Sequence, residues 1–255
     1  GIAPCAQAEG GNPLTDRFSF SLGTFLLNTS TEIRVDGQAG RGDEINLERD
    51  LGVRDADRFR IDGYWRMTPR QKLRIMYFDT SNSANKILER DIHFGDNTYP
   101  VSAEVKASTQ TTVFELAYEF AFLHTDKYEL TVTGGIHNLK FETALSVQSG
   151  GQSAGLSNSA QADGPLPVIG VHGVWLMGDK FYFDAAAQFF KININPYDGS
   201  VSDYNASFVW RAFKNVGFGA GFNEFVTKVD VNGNNFDGSL RWRYGGARIF
   251  VTASF

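Results

Sequence analysis

A chain of 255 residues with no Pro-rich or Ser-rich linker reads as a single domain, and its net charge of −5 is modest, with basic residues spread among apolar ones instead of gathered in a patch. That spread excludes nucleic acid as the expected partner. Hydrophobic residues make up 42% and aromatics 14%, yet no apolar run approaches the length of a membrane helix, so helical spanning is excluded while spanning by alternating strands is not.

The opening GIAPCAQAEGG carries the only cysteine, Cys5. Ala6-Gln7-Ala8 fits the small-residue cleavage site of a secretory signal, so residues 1–8 are expected to be a signal remnant and residues 9–255 the mature domain. A lipidated Cys5 is the competing reading, and Pro4 directly before it fits that poorly. A mature chain without a thiol suits an oxidising envelope compartment.

From Arg17 onward the chain is a series of period-two segments, the signature of strands with two different faces. Arg17 to Thr29 sets Phe18, Phe20, Leu22 and Leu26 against Ser19, Ser21 and Gly23. After a long polar stretch, Ser30 to Asp55, the segment Arg58 to Met67 alternates Phe59, Ile61, Trp65 and Met67 with Arg58, Arg60, Asp62 and Arg66. A soluble sheet would not bury three arginines on one face. A tight turn, Thr68 to Gln71, leads into Lys72 to Thr80, where Leu73, Ile75 and Tyr77 oppose Lys72 and Arg74. The second polar excursion, Ser81 to Ser108, contains a strand-like piece, Ile87 to Phe94, expected to extend the wall.

Thr112 to Phe122 places Phe114, Leu116, Tyr118, Phe120 and Phe122 opposite Glu115 and Glu119. Beyond a short turn, Tyr128 to Leu139 opposes Tyr128, Leu130, Val132 and Ile136 to Glu129 and His137. Gln148 to Gly164, made of Ser, Gly, Gln and Ala with no aromatic, has the composition of a loop. Leu166 to Met177 and Phe181 to Asn195 flank a turn at Gly178-Asp179-Lys180, and Pro196 to Gly199 reads as a hairpin turn. Val201 to Ala212 carries Tyr204, Phe208 and Trp210 against Asp203 and Arg211, and Val216 to Val231 follows. Asn232 to Asn235 closes the last hairpin; Asp230, Asn232 and Asn234 suggest a calcium loop but lack its Gly and closing Glu.

The closing stretch, Phe236 to Phe255, puts Leu240, Trp242 and Tyr244 on one face and Arg241 and Arg243 on the other. From Ile249 to Phe255 the apolar residues fall on the opposite parity, and the Gly245-Gly246 pair is where a β-bulge is expected to make the slip. An amphipathic last strand ending on Phe255 resembles the C-terminal assembly signal of Gram-negative outer-membrane barrels, and the whole chain resembles a small member of that superfamily. The strand count is about ten, with eight or twelve as the neighbouring even solutions. The resemblance implies an antiparallel transmembrane β-barrel with short periplasmic turns and long extracellular loops. It also implies contact with outer-membrane lipid and lipopolysaccharide, and β-barrel assembly machinery as partner. Trp65, Tyr128, Trp175, Phe181 and Trp210, each near a short turn, are expected to form an aromatic girdle at the membrane interface.

The residues that alternate away from the apolar face form a predicted lumen network: Arg58, Arg60, Asp62, Arg66, Arg74, Glu115, Glu119, Glu129, Asp184, Asp203, Arg211, Arg241 and Arg243. In a bore this narrow, opposite charges are expected to pair and largely plug it. The functional expectation is a non-enzymatic barrel, either a narrow channel or a structural envelope protein. Two other readings stay open. Asp55 and Asp57 with Asp91 and His93 are similar to the acid and His couples that activate water in omptin proteases, although here the pairs come from adjacent loops. The long loops, which include an Arg41-Gly42-Asp43 tripeptide, are the basis of a surface-binding reading. No cofactor and no metal cluster is expected from the scattered histidines.

Overall fold

The computed structural model describes residues 12–38, 40–53, 58–149, 156–194, 197–232 and 237–255. Ten long strands form one closed antiparallel barrel: β1 (Phe18–Val35), β3 (Arg58–Thr68), β4 (Gln71–Ile87), β7 (Glu104–His124), β8 (Tyr128–Ser149), β9 (Ser157–Leu176), β10 (Phe181–Ile194), β11 (Tyr197–Trp210), β12 (Val216–Asn232) and β13 (Asp237–Ser254). Each pairs with its sequence neighbour, and β13 closes on β1 over a register running from Ser19↔Ser254 to Val35↔Gly238. Because β13 and β1 pair with each other, neither is left as an edge strand of the barrel. Both described ends of the chain lie with the short turns, where Phe18 and Phe255 exchange backbone hydrogen bonds of 3.0 and 2.9 Å.

The other end is capped. β1 gives way to β2 (Ile45–Asn46) and a single helical turn, α1 (Leu47–Leu51), and a hairpin of β5 (Ile92–Phe94) and β6 (Asn97–Tyr99) links β4 to β7. Asn46 caps α1 by accepting from the Arg49 amide at 2.8 Å, and Gly52 ends the helix at φ 69°, a left-handed value that favours glycine. Glu48 ties the helix to the wall by accepting from the amide and hydroxyl of Thr31, both at 2.8 Å. Ile45, Leu47, Leu51, Leu88, Ile92, Phe94 and Tyr99 turn their apolar sides down into the barrel mouth and join one core cluster.

The long wall strands change chemistry partway along without changing parity. On β8, Tyr128, Leu130, Val132 and Ile136 are exposed on the outside while Glu129, Thr131, Thr133 and His137 are buried inside. Further along, the same outer parity carries Asn138, Lys140 and Glu142, and the inner parity carries Leu139, Phe141, Leu145 and Val147. On β7 the change falls between Val113 and Phe114, and on β1 it lies beyond Leu22, with Phe25, Ile33 and Val35 buried inside. The half near the short turns is therefore apolar outside and ionic inside, and the capped half is polar outside and apolar inside.

That inversion corrects the reading of the last strand. Leu240, Trp242 and Tyr244 are buried inside and Arg241 and Arg243 are exposed outside, and the pairing of β13 with β1 and β12 runs through Gly245-Gly246 without a register shift. No bulge is needed, because the environment changes and the strand does not. The loop boundaries shift for the same reason. β1, β4, β7, β8 and β9 all run on past the apolar belt, so much of Ser30 to Asp55, Ser81 to Ser108 and Gln148 to Gly164 is wall. Within the second excursion, Ile87 ends β4, and the residues up to Phe94 turn inward over the mouth instead of extending the wall. β11 begins at Tyr197, inside the segment read as a turn.

Candidate functional site

The bore in the apolar-belted half holds a chain of charges reaching from one strand to the next. Arg66 donates to both carboxylate oxygens of Glu129, at 2.6 and 3.1 Å. Lys72 Nζ lies 2.7 Å from Glu129 and 3.1 Å from Glu119, and Arg74 Nε donates to Glu119 at 2.8 Å. His172 continues the chain, 3.2 Å from Glu119 and 2.8 Å from Asp184. A second group joins Arg60 to Asp62 at 2.7 Å and Asp62 to Arg248 at 3.5 Å, with Arg248 donating to Ser207 at 3.0 Å. A third is built on Glu115, His137, Gln188, Asp203 and Asn223, with Gln188 donating to Glu115 and Asn223 to Asp203, both at 2.7 Å. Charges withdrawn from water need such partners, since an unpaired one costs several kcal/mol.

The short-turn end of this layer is closed by the chain itself. The turn at Asn12 to Asp16 tucks into the mouth, where Arg66 and Tyr64 donate to the Pro13 carbonyl at 2.8 and 3.3 Å and Ser254 donates to Asp16 at 2.6 Å. Between that turn and the charges lies a polar cavity of about 70 Å³, lined among others by Arg60, Glu115, Asp184 and Asp203. Across the bore on the other side stands a layer of rings. Tyr244 stacks on Phe78 at 5.1 Å and on Phe225 at 5.3 Å, Trp242 lies 5.0 Å from Tyr244, and Phe25 meets Tyr244 edge-on at 6.2 Å. Val113, Leu139, Phe141, Val168 and Val201 complete the layer from the facing strands.

Of the predicted lumen residues, Arg60, Asp62, Arg66, Arg74, Glu115, Glu119, Glu129, Asp184 and Asp203 line this bore. Arg241 and Arg243 do not; they pair with Glu32 and Glu224 on the outer wall of the capped half. Arg211 lies just beyond the end of β11 and donates to the carbonyls of Gly178 and Asp179 at the short-turn rim. The Arg58 side chain, Asp55, Asp57 and residues 1–8 with Cys5 lie outside the described residues. Lys72, His172 and Arg248 also belong to the bore, beyond the residues expected from the sequence. Lys72 takes the same parity as Arg74, His172 alternates with Val171 and Gly173, and Arg248 alternates with Ile249, so each falls on the inner side of its strand.

Trp65, Tyr128, Trp175, Phe181 and Trp210 all point outward and pair as neighbours, with Phe18 on Trp65 at 6.5 Å, Tyr128 on Trp175 at 6.1 Å and Trp210 on Phe218 at 6.1 Å. On the cap, His93 and Asp91 do not converge. His93 Nδ1 lies 3.0 Å from Asp43, while Asp91 accepts from the Val101 amide at 2.6 Å and holds the turn after β6. Burial acts to raise the Asp43 carboxyl, but the hydrogen bonds from the His93 amide and ring outweigh it and hold Asp43 below the usual carboxylate range.

The barrel is similar to that of an outer-membrane protease. The OmpT protease of Escherichia coli superposes with a TM-score of 0.61 at 11% identity, covering 93% of this chain and 96% of its own. Weaker likenesses are the Pseudomonas putida toluene transporter TodX, at a TM-score of 0.36, 7% identity and 97% and 94% coverage, and the Yersinia pestis attachment invasion locus protein Ail, at 0.36, 9%, and 91% and 97%. No protein-family model matches the chain, and no curated protein matches it. At 11% identity the OmpT likeness establishes a shared barrel fold and carries no residue across.

Proposed function

We propose that this chain is an integral protein of a Gram-negative outer membrane, a sealed barrel that acts from its capped end and as an envelope scaffold, not as a passage. One observation carries the reading: the ring layer of Phe78, Phe225, Trp242 and Tyr244 stands across the bore above the paired charges. Solutes would have to cross a dry apolar layer and then a salt-bridged one. Membrane residence is supported by the outer belt of Phe20, Leu22, Ile75, Phe114, Val132, Ile169 and Phe222, each between 43% and 56% exposed, a surface too apolar and too continuous for water. The tryptophans near the short turns edge the belt, which supports a reading in which those turns face the periplasm and the cap faces outward, in contact with lipopolysaccharide. Phe255, exposed beside β1, is then available to the barrel assembly machinery.

A rim hydrolase is not favoured by the geometry of the described residues, since Asp91 is committed to a turn and His93 to Asp43. The test is electrical. Protein refolded in detergent, shown to be folded by heat-modifiable migration, and reconstituted in planar bilayers is expected to give no conductance steps across the voltage range. Reproducible steps from the folded protein would overturn the sealed reading.

A further inference from the structure

Once the lumen charges are paired off, one place is left over. Asp62, Glu119 and Glu129 each have a Lys or Arg nitrogen within hydrogen-bonding reach, at 2.7, 2.8 and 2.6 Å. Among the described residues, no Lys or Arg nitrogen lies within 4.0 Å of Glu115 or Asp203, although they are only 2% and 3% exposed. Between them stands His137, 0% exposed, on the neighbouring strand to Glu115 and across the bore from Asp203. One ligand atom from each of the three lies within 4.8 Å of the others. The nearest guanidinium, Arg60, is already committed to Asp62 and to the Asn223 carbonyl oxygen, at 2.7 and 2.9 Å.

A second observation points the same way. Nε2 of His137 is 2.8 Å from the Gln188 carbonyl oxygen and 3.6 Å from Glu115, while Nδ1 is buried with no hydrogen-bond partner, so Nδ1 is the nitrogen left to hold an ion. Gln188 also donates to Glu115 at 2.7 Å and therefore holds both side chains at once, as an outer-shell residue orients metal ligands. We propose that Glu115, His137 and Asp203 form a structural site for a divalent transition-metal ion of the zinc type. Two carboxylates and an imidazole match zinc-like ions; calcium and magnesium take oxygen ligands and leave imidazole aside. Glu115 and Asp203 face the 70 Å³ polar cavity, which has room for the water that completes the coordination shell. The ion would offset the surplus of buried negative charge and join β7, β8 and β11 directly beneath the ring layer, where Phe225 stacks on His137 at 5.7 Å.

The experiment uses the whole chain refolded in detergent with excess Zn²⁺ or Co²⁺ and then desalted. We expect about one ion retained per folded chain, and about 10- to 100-fold weaker retention in Gln188→Leu. His137→Gln and Glu115→Gln are expected to abolish retention, while His93→Ala on the cap leaves it unchanged. Folding of each variant is read by heat-modifiable migration. X-ray absorption on the zinc-loaded wild type, which needs no variant to fold, is expected to show a single imidazole among oxygen ligands. A folded wild type that retains no stoichiometric metal, metal retained by His137→Gln, or a coordination shell with more than one imidazole would each overturn the site. In that case the three side chains are held by Gln188 and Asn223 alone.

Discussion

Lys72 shows what a single side chain does in this bore. Its ammonium sits between two carboxylates that are each 1% exposed, and it lies 5.3 Å over the ring of Tyr64. Lys72→Met removes one cation and leaves Glu119 and Glu129 facing each other with only Arg66, Arg74 and the histidines to hold them. We expect a loss of about 3–5 kcal/mol in urea unfolding from lipid vesicles, the range for breaking a buried pair. Arg241→Ala is the contrast, because that pair with Glu32 is 3.5 Å long and half-exposed, and the expected change is below about 1 kcal/mol. Equal losses from the two substitutions would mean that the bore is wetter than its burial indicates. Parity in the sequence told which faces were polar, but it could not say that Lys72 bridges two carboxylates from β7 and β8. That contact depends on how far the barrel's curvature brings the side chains together.

Among the elements, β13 best separates pattern from structure. Its sequence carries apolar residues first on even positions and then on odd ones, and a strand read against a single medium must slip to accommodate that. In the barrel the strand keeps one phase from Gly238 to Ser254 and passes between two media. Single cysteines placed along it in a Cys5-free chain give the test. Cysteines at positions 241 and 243 are expected to react with a membrane-impermeant maleimide on folded protein, and those at 242 and 244 to be protected until unfolding. The reverse pattern would restore the slipped strand and its bulge. The same passage between media explains why the polar outer stretches read as loops. Ser157, Ser159, Gln161 and Asp163 on the outside of β9 need no lipid, and the small inward residue Ala160 does not by itself signal a core.

For the whole molecule, the two-layer interior makes a prediction about the four tryptophans. Trp65, Trp175 and Trp210 lie on the outer belt at 41%, 44% and 47% exposure, and Trp242 is 1% exposed in the ring layer. In single-tryptophan variants reconstituted with brominated lipid, the first three are expected to be quenched and Trp242 to be silent. Quenching at Trp242 would place β13 with its rings toward lipid and undo the sealed bore.

By itself, the sequence determined that the chain is a barrel of alternating strands with ten as the central count, that its outward aromatics lie near the short turns, and that Arg60, Arg66, Glu115, Glu119 and Glu129 share an interior. These follow from period-two alternation, which a strand's geometry imposes residue by residue. Only the tertiary structure decided where each strand leaves the apolar belt, which charges meet, and that the cap and the rings of Phe78, Phe225, Trp242 and Tyr244 close the bore. Those facts depend on the register between distant strands and on the height of each residue along the barrel axis. Alternation within one strand records its two sides but not its height, so the same parity can face lipid at one end and water at the other.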